Sequence, residues 1–322
     1  MTGTYVYTGI GHEIDQEAAW DYLRDGYLLA PRTVLKGRKK LPPPSLSGVP
    51  VDLKNISLAV QQILEDVMGN IAGELRAVMF TGGFDSMLLA SLAQRCGAQV
   101  AAVTVRFDDF NPLTVAAASQ SANKLGLGHH ILQVKIVEFL SAFEELAGIT
   151  DEPVLDLDLA IVYAAFKKYD HRIGGDVFIS GMGSDQWFGP VSSRMAKFRG
   201  LAARLDWAMV DEGAHQRVAQ AHGCKFIFPF LSRPMLALSQ SIPAAMKEDK
   251  KLLRTLGVAK AIPDRGARSE VQVPTSIRHI LIKMYGERAW PNPVSVDNGR
   301  GTDDQTLRQI VLGLWLEKMK ER

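Results

Sequence analysis

The chain has little cysteine, with only Cys96 and Cys224 among its 322 residues. Two cysteines provide neither a disulfide framework nor a cysteine-rich metal cluster, so a reduced, cytoplasmic setting is the simplest interpretation. The sequence also lacks an apolar run of the roughly 18 residues needed to cross a membrane. Its first residues do not combine a basic region with an apolar core, as a signal peptide would. We therefore expect a cytoplasmic protein without a membrane partner.

An excess of one charge is missing as well. Lys and Arg number 37 and Asp and Glu number 35, which gives a net charge of +2 at neutral pH. This balance argues against a nucleic-acid partner, although it does not exclude a local basic patch. The hydrophobic fraction of 47% and the charged fraction of 22% are those of a globular protein. The length fits two domains or one large domain.

What the sequence does contain is a glycine pair between a short apolar run and a helix-favouring stretch. Thr81-Gly82-Gly83-Phe84-Asp85-Ser86 follows the apolar residues 77–80 and precedes the stretch 87–94. Two glycines at a strand-to-helix turn let backbone N–H groups approach an anion, and the helix N-terminus adds partial positive charge. Ser86 can donate a hydrogen bond, and Asp85 can hold a magnesium ion. The motif therefore predicts a phosphate loop, with an ordinary glycine turn as the alternative.

A second glycine-rich turn with an aspartate lies about a hundred residues further along the chain. Ser180-Gly181-Met182-Gly183-Ser184-Asp185 begins at the end of a strand predicted over 176–180, in which residues 177–179 are apolar. Asp185 can meet Asp85 across one cleft, where two carboxylates and magnesium would neutralise charge on a leaving pyrophosphate. The alternative is that Asp185 only caps a helix.

Strands and helices alternate around these two motifs. Strands are predicted over 77–80, 99–107, 130–134 and 176–180, and helices over 17–24, 51–75, 85–94, 113–125, 137–146 and 159–169. Such alternation predicts an α/β fold, a doubly wound parallel sheet with helices on both faces. Ligands bind at the carboxyl ends of strands in such sheets, where both motifs fall. Strand patterns fade after about residue 190, so we expect a helical C-terminal region.

The first motif resembles the pyrophosphate loop of N-type ATP pyrophosphatases, written Ser-Gly-Gly-x-Asp-Ser, with Thr81 in the place of the first Ser. The second resembles the Ser-Gly-Glu-Gly-Ala/Ser-Asp-Glu-Leu-Phe-Gly stretch of asparagine synthetases. Further stretches are similar to that family in the same order: 21–23, 26–27, 31–37, 40–43, 151–153 with Asp156 and Tyr163, 229–231, 251–254 and 268–274. The resemblance covers nearly the whole chain. It implies a tail of a glutaminase region and linker over 1–50, an ATP-pyrophosphatase core over 51–190 and the helical remainder over 191–322.

The resemblance implies an ATP-dependent, AMP-forming ligase that uses ATP and Mg²⁺. A small-molecule carboxylate would attack the α-phosphate, and ammonia or an amine would then attack the acyl-adenylate. Asp85 and Asp185 would hold the metal, and Arg268, or Arg265 in the same loop, would join them in catalysis by neutralising phosphate charge. The implied nucleotide-binding residues are Thr81, Gly82, Gly83, Asp85, Ser86, Val105, Asp108, Ser180, Gly181 and Gly183.

The chain departs from the family pattern at functional positions. A glutaminase needs a cysteine at the mature N-terminus, and Thr2 stands here, so we expect nitrogen from free ammonia, an amine or a separate glutaminase subunit. Met182 replaces the family's Glu and cannot take a proton from the incoming nitrogen. Arg268 replaces a Lys on the phosphate side, which changes the geometry of contact. Ser232 replaces an acid in the Pro-Phe-Leu segment.

Two other functions stay open at this point. One is an enzyme of the same fold that adenylates a tRNA base, which would predict a basic face. The other is a non-catalytic ATP-binding relative, suggested by Met182. The long connections 261–274 and 288–302 are candidate lids or plain surface loops. We expect Trp187 and Phe188 to fill the core, and the sequence leaves a homodimer open.

Overall fold

A computed structural model describes residues 6–9, 11, 13–41, 52–188, 201–247, 250–262, 273–290 and 303–321. The strands are β1 (Val6–Thr8), β2 (Lys39–Leu41), β3 (Leu75–Met79), β4 (Gln99–Phe107), β5 (Gly128–Val134), β6 (Val177–Ile179) and β7 (Lys225–Ile227). The helices up to the end of the sheet are α1 (Gln16–Asp25), α2 (Ile56–Gly69), α3 (Phe84–Arg95), α4 (Pro112–Lys124), α5 (Ile136–Leu146), α6 (Leu157–Phe166), α7 (Ser184–Phe188) and α8 (Leu201–Gln220). Those that follow are α9 (Arg233–Ser241), α10 (Ala244–Lys247), α11 (Lys251–Arg254), α12 (Thr275–Tyr285) and α13 (Asp303–Glu321).

The central sheet is parallel, with the strand order β5-β4-β3-β6-β7. The chain first winds outward from β3 through β4 to β5 and then returns to the other side of β3 with β6 and β7. This reversal is the topology of a doubly wound sheet, and it confirms the predicted fold class. It also defines a crevice between β3 and β6, because the connections that leave these two strands diverge at their carboxyl ends.

The fifth strand was not expected, since strand patterns fade after about residue 190. β7 is only three residues long, and it pairs in parallel with β6 in the register Val177↔Lys225 and Ile179↔Ile227. A run this short shows no period of its own, so the pairing partner makes it a strand. The expected helical C-terminal region is confirmed by α8 to α13, and β7 is a short strand within it that the sequence did not predict.

Helix α2 shows how burial differs from the expected pattern. In the helix predicted over 51–75, helical spacing places Leu53, Ile56, Val60, Ile63 and Val67 near one face. The structure buries Ile56, Val60, Leu64 and Met68 instead, which is a stripe with a spacing of four residues. Leu53 precedes the helix and is exposed. The expected face is therefore wrong in its second half, where Leu64 and Met68 are buried and Ile63 and Val67 are only partly buried.

The short antiparallel ribbon of β1 and β2 is fastened to the rest of the molecule by buried polar groups. Lys40 on β2 is fully buried and donates hydrogen bonds to Glu152 (3.0 Å) and to the carbonyl of Leu28 (2.6 Å). The hydroxyl of Tyr7 on β1 donates to the other carboxylate oxygen of Glu152 over 2.7 Å. In the part of the chain that the structure describes, no helix has the length and apolar character to span a membrane.

Candidate functional site

The first glycine-rich loop connects β3 to α3 and packs against α4. Gly82 has a φ of +69°, and a Cβ atom there would lie 2.8–2.9 Å from backbone atoms of Ala117 and Ala118. Both observations require glycine at this position. The hydroxyl of Thr81 accepts a hydrogen bond from the backbone N–H of Gly83 over 3.3 Å, and that of Ser86 donates to the Gly83 carbonyl over 2.9 Å. The loop is therefore a close-packed turn at the N-terminus of α3.

The second glycine-rich loop connects β6 to α7 and lies against the first. A Cβ atom on Gly181 would come within 3.0 Å of the Asp85 Cβ atom. Gly183 has a φ of +93° and packs against Leu231, so a side chain there would be both strained and obstructed. The fully buried Ser184 donates a hydrogen bond of 2.8 Å from its hydroxyl to Oδ1 of Asp85. The structure thus brings the two sequence motifs into direct contact.

The two predicted metal-binding aspartates face one ammonium group. Lys250 forms ion pairs with Oδ2 of Asp85 and, at 2.8 Å, with Oδ1 of Asp185. The side chain of Asp185 is 66% exposed, whereas those of Asp85 and Lys250 are 19% and 10% exposed. The expected meeting of Asp85 and Asp185 is therefore present, and Asp185 does more than occupy the first turn of α7.

Sequence reasoning did not single out Lys250. The motif that resembles the family began one residue later, at Lys251. A lysine next to that motif was the available signal, but 165 residues separate Lys250 from Asp85. Only the folded chain shows which of the two neighbouring lysines points into the site.

The position of the Lys250 ammonium group indicates that the carboxylates of Asp85 and Asp185 can hold a cation between them. One positively charged nitrogen lies within ion-pair distance of an oxygen from each aspartate. Carboxylate oxygens are the ligands that Mg²⁺ prefers in proteins. The residues present therefore fit a divalent cation held by Asp85 and Asp185, because the Lys250 ammonium already lies between their carboxylates.

The carboxyl end of β4 was expected to flank the nucleotide through Val105 and Asp108. Asp108 has a φ of +39°, and its Oδ2 accepts a hydrogen bond of 2.7 Å from the N–H of Ile136 at the start of α5. Asn111 closes the same turn by accepting from the Phe107 N–H over 2.9 Å and donating to the Val105 carbonyl over 3.0 Å. These side chains shape the end of β4. Their role toward a nucleotide stays a prediction.

Several other expectations concern the surroundings of this edge. Ser180 accepts a hydrogen bond of 3.3 Å from the Met182 N–H, and the Met182 side chain packs partly buried against the core. Trp187 and Phe188 are buried, which confirms the expectation for both. Arg268 and most of the two candidate lids, over 263–272 and 291–302, lie outside the described residues.

A second cluster of ionisable groups lies between α6 and α8. Asp156, Asp211 and His215 each place one potential ligand atom within 4.8 Å of the others. Asp156 caps α6 by accepting hydrogen bonds from the N–H groups of Asp158 and Leu159. Burial alone would lower the pKa of His215, but Asp211 and Asp156 outweigh it and raise this pKa to about 9. Burial, followed by the proximity of Asp211, raises the pKa of Asp156. At neutral pH the imidazole of His215 is therefore charged.

Residues 74–217 match the family model described as asparagine synthase. The matched segment runs from just before β3 into α8 and includes both glycine-rich loops. The match confirms the resemblance drawn from those loops, since residues 74–217 are similar to the asparagine synthase family. A glutaminase domain is not detected.

Curated relatives are similar to this chain at low identity. A protein of Mycobacterium bovis named "putative asparagine synthetase (glutamine-hydrolyzing)" is 27% identical over an alignment of 208 positions, and the alignment covers 56% of this chain and 31% of that protein. Its counterpart of the same name in Mycobacterium tuberculosis strain H37Rv gives the same values. The chain thus spans about a third of the length of the curated relatives it matches.

Solved structures with a detectable likeness include two synthetases. NMN synthetase from Francisella tularensis is 13% identical, with a TM-score of 0.34 and coverage of 77% of this chain and 100% of that one. The NH₃-dependent NAD synthetase from Campylobacter jejuni is 13% identical, with a TM-score of 0.31 and coverage of 85% and 95%. The fold class itself follows from the strand order of the sheet.

Proposed function

We propose that this chain is an ATP-dependent, AMP-forming ligase that activates a carboxylate as an acyl-adenylate and joins it to ammonia or an amine. The observation that carries the proposal is the contact between the two glycine-rich loops, with Asp85, Asp185 and Lys250 gathered at the carboxyl ends of β3 and β6. A glycine-rich loop at a helix N-terminus suits phosphate, and the aspartates suit a cation beside it.

In this proposal, different residues of the site bind the phosphates of ATP and the metal ion. The backbone around Gly82 and Gly83 and the N-terminus of α3 would receive pyrophosphate oxygens. Asp85 and Asp185 would hold Mg²⁺, which supplies charge neutralisation for pyrophosphate as it leaves. Lys250 would add positive charge on the same side of the loop, because its ammonium already lies between the two aspartates.

The side chain of Met182 limits the form in which the nitrogen donor can react. A thioether is only a weak acceptor and cannot take a proton from an ammonium group. The nucleophile would therefore arrive as the free base of ammonia or an amine, or another group would deprotonate it. The curated relatives are named as glutamine-hydrolysing enzymes, so a separate glutaminase subunit is a proposed source of ammonia for this chain.

The experiment that tests this function is isotope exchange between pyrophosphate and ATP, screened over a panel of amino acids and other organic acids. Adenylation needs no amine, so a substrate carboxylate will support exchange on its own. With a nitrogen donor added, the products should be AMP and pyrophosphate. Release of ADP and phosphate would contradict the proposal, and so would the absence of exchange with every acid in the panel.

Matched variants show whether exchange comes from this site. Asp85→Asn and Asp185→Asn each remove one charge without changing side-chain volume, and each should lower the exchange rate about 100-fold or more. Asp66→Asn, on the exposed side of α2, is the control and should leave exchange unchanged. Activity that survives in both active-site variants would place the chemistry elsewhere.

A further inference from the structure

The position of Lys250 is built into the fold. Its backbone φ is +58°, a conformation that residues other than glycine rarely adopt. The next residue begins α11, in which Leu252 and Leu253 are buried in the core. The burial of these two leucines therefore fixes the position of the turn that carries Lys250. The side chain of Lys250 is 10% exposed, which distinguishes it from an exposed surface lysine.

A second contact fastens this turn to the phosphate loop. The guanidinium carbon of Arg254 lies 4.7 Å from the centre of the Phe84 ring, and Phe84 directly precedes Asp85. Helix α11 also contacts α7, whose first turn carries Asp185. The lysine and both aspartates are thus held by elements that pack against one another. The ion pairs follow from this packing.

Two cations cannot share these carboxylate oxygens at low cost. The three side chains together carry a net charge of −1, and the ammonium accounts for the only positive charge among them. A divalent ion between Asp85 and Asp185 would place two more positive charges within a few ångströms of the ammonium, where like charges repel strongly. Metal binding therefore requires the ammonium to move away from the carboxylates or to find a new anionic partner.

We propose that Lys250 is an internal counter-ion that competes with the divalent metal for Asp85 and Asp185, and that nucleotide phosphates draw its ammonium away from them. The inference rests on the proposed function in naming ATP as the nucleotide. Its consequence is an order of binding: the free protein holds the metal weakly, and the metal enters with the nucleotide. The lysine side chain has four methylene groups and can turn from carboxylates to phosphates without movement of its anchored backbone.

Competition is tested by titrating nucleotide-free protein with Mn²⁺ and following the free ion by electron paramagnetic resonance. Lys250→Met removes the charge and keeps the aliphatic stem, and it should bind Mn²⁺ at least about tenfold more tightly than the wild type. Lys250→Arg keeps a cation and should bind as weakly as the wild type. Lys260→Met removes an exposed lysine from the turn at 257–261 and should behave as the wild type. Equal Mn²⁺ affinity in Lys250→Met and the wild type would overturn the competition.

The transfer to phosphate is tested by calorimetry with ATP in the presence of EDTA. Lys250→Met should bind metal-free ATP at least about tenfold more weakly than the wild type and Lys260→Met. Unchanged affinity in Lys250→Met would overturn the transfer. Failure of the wild type to bind ATP even with Mg²⁺ would overturn the proposed function and the transfer with it, while the Mn²⁺ titration still decides the competition.

Displacement of the ammonium can also be measured on the wild type, so the test does not depend on whether a Lys250 variant folds. Acetic anhydride labelling read by mass spectrometry reports how accessible each lysine is. Saturating Mn²⁺ should raise the labelling rate of Lys250 severalfold, because the displaced ammonium becomes exposed, and should leave Lys260 unchanged. A Lys250 rate that does not respond to bound Mn²⁺ would contradict displacement.

Discussion

The hydroxyl group of Ser184 donates a hydrogen bond of 2.8 Å to Oδ1 of Asp85 across 99 residues of sequence. Lys250 faces the other oxygen of the same carboxylate. Both oxygens of Asp85 therefore have a partner, and the carboxylate is held in one orientation. Ser184 is fully buried at the start of α7, so this hydrogen bond joins the two glycine-rich loops in the interior.

Removing the Ser184 hydroxyl should reduce catalysis without removing any group that we assign to the metal or nucleotide. A hydrogen bond to a charged group contributes about 1.5–3 kcal/mol, so Ser184→Ala should lower pyrophosphate exchange by roughly tenfold or more. The control is Ser141→Ala, which removes an exposed hydroxyl that donates to Glu145 on α5. An exchange rate in Ser184→Ala equal to that of the control would show that Asp85 is oriented without this contact.

Substitution of Gly82 should cost more than its backbone conformation alone explains. Gly82 and Gly97 both have positive φ, +69° and +89°, but a Cβ atom meets the backbone of α4 only at Gly82. Gly97→Ala should therefore destabilise the protein by about 1 kcal/mol, and Gly82→Ala by about 3 kcal/mol, because overpacking is added. Urea unfolding of both variants measures the difference. Equal losses would mean that α4 yields freely to the new methyl group.

The buried pair of Lys40 and Glu152 should be sensitive to the loss of one partner. Burial lowers the pKa of Lys40, and Glu152 opposes this by favouring the charged form. Lys40→Met leaves the Glu152 carboxylate buried without its cation, so we expect a loss of about 3 kcal/mol in unfolding free energy. Adding Glu152→Gln should recover part of this loss.

The matched control for the buried pair is the exposed ion pair between Lys36 and Glu13, in which the side chains are 60% and 80% exposed. Lys36→Met should change stability by less than about 1 kcal/mol. A comparable loss in Lys36→Met and Lys40→Met would contradict the role of burial.

His215 should make stability depend on pH above neutrality. Its pKa is raised from 6.5 to about 9 by Asp211 and Asp156 against the effect of burial. A raised pKa stabilises the fold fully below pH 6.5, and this stabilisation is lost as the pH rises through 9. The shift corresponds to about 3 kcal/mol. The wild type should therefore exceed His215→Gln in unfolding free energy most near pH 6, and the difference should shrink toward pH 10. A difference that is constant over this range would show that His215 is neutral in the folded protein.

The parallel sheet was largely predictable because buried strands are continuous apolar runs bounded by turn residues. The predicted bounds of β4 agree with the structure, those of β3 and β6 differ by one or two residues at each end, and β5 begins two residues earlier than predicted. β7 escaped prediction because Lys225–Ile227 is too short for a period to be visible and becomes a strand only by pairing with β6. The antiparallel ribbon of β1 and β2 escaped for the same reason.

The parts of the candidate site that consist of residues adjacent in the sequence were predictable. Glycines beside an acid and a hydroxyl, at the end of an apolar run, marked both loops and therefore Asp85 and Asp185. No sequence pattern around Lys250 indicates a site residue, because lysines are common on protein surfaces and its neighbours predict only a helical turn. The buried cluster of Asp156, Asp211 and His215 likewise combines two helices whose separate sequences show no shared pattern.

The sequence by itself determined the two glycine-rich turns, because the left-handed backbone at Gly82 and Gly183 is a local property that a side chain would forbid. The tertiary structure decided which charges meet: it set one ammonium between two carboxylates and a buried hydroxyl against one of them. The physical reason is distance. Backbone conformation depends on a residue and its neighbours in the chain. An ion pair depends on how strands and helices far apart in the chain pack together, and the distance between them in space cannot be read from the local sequence.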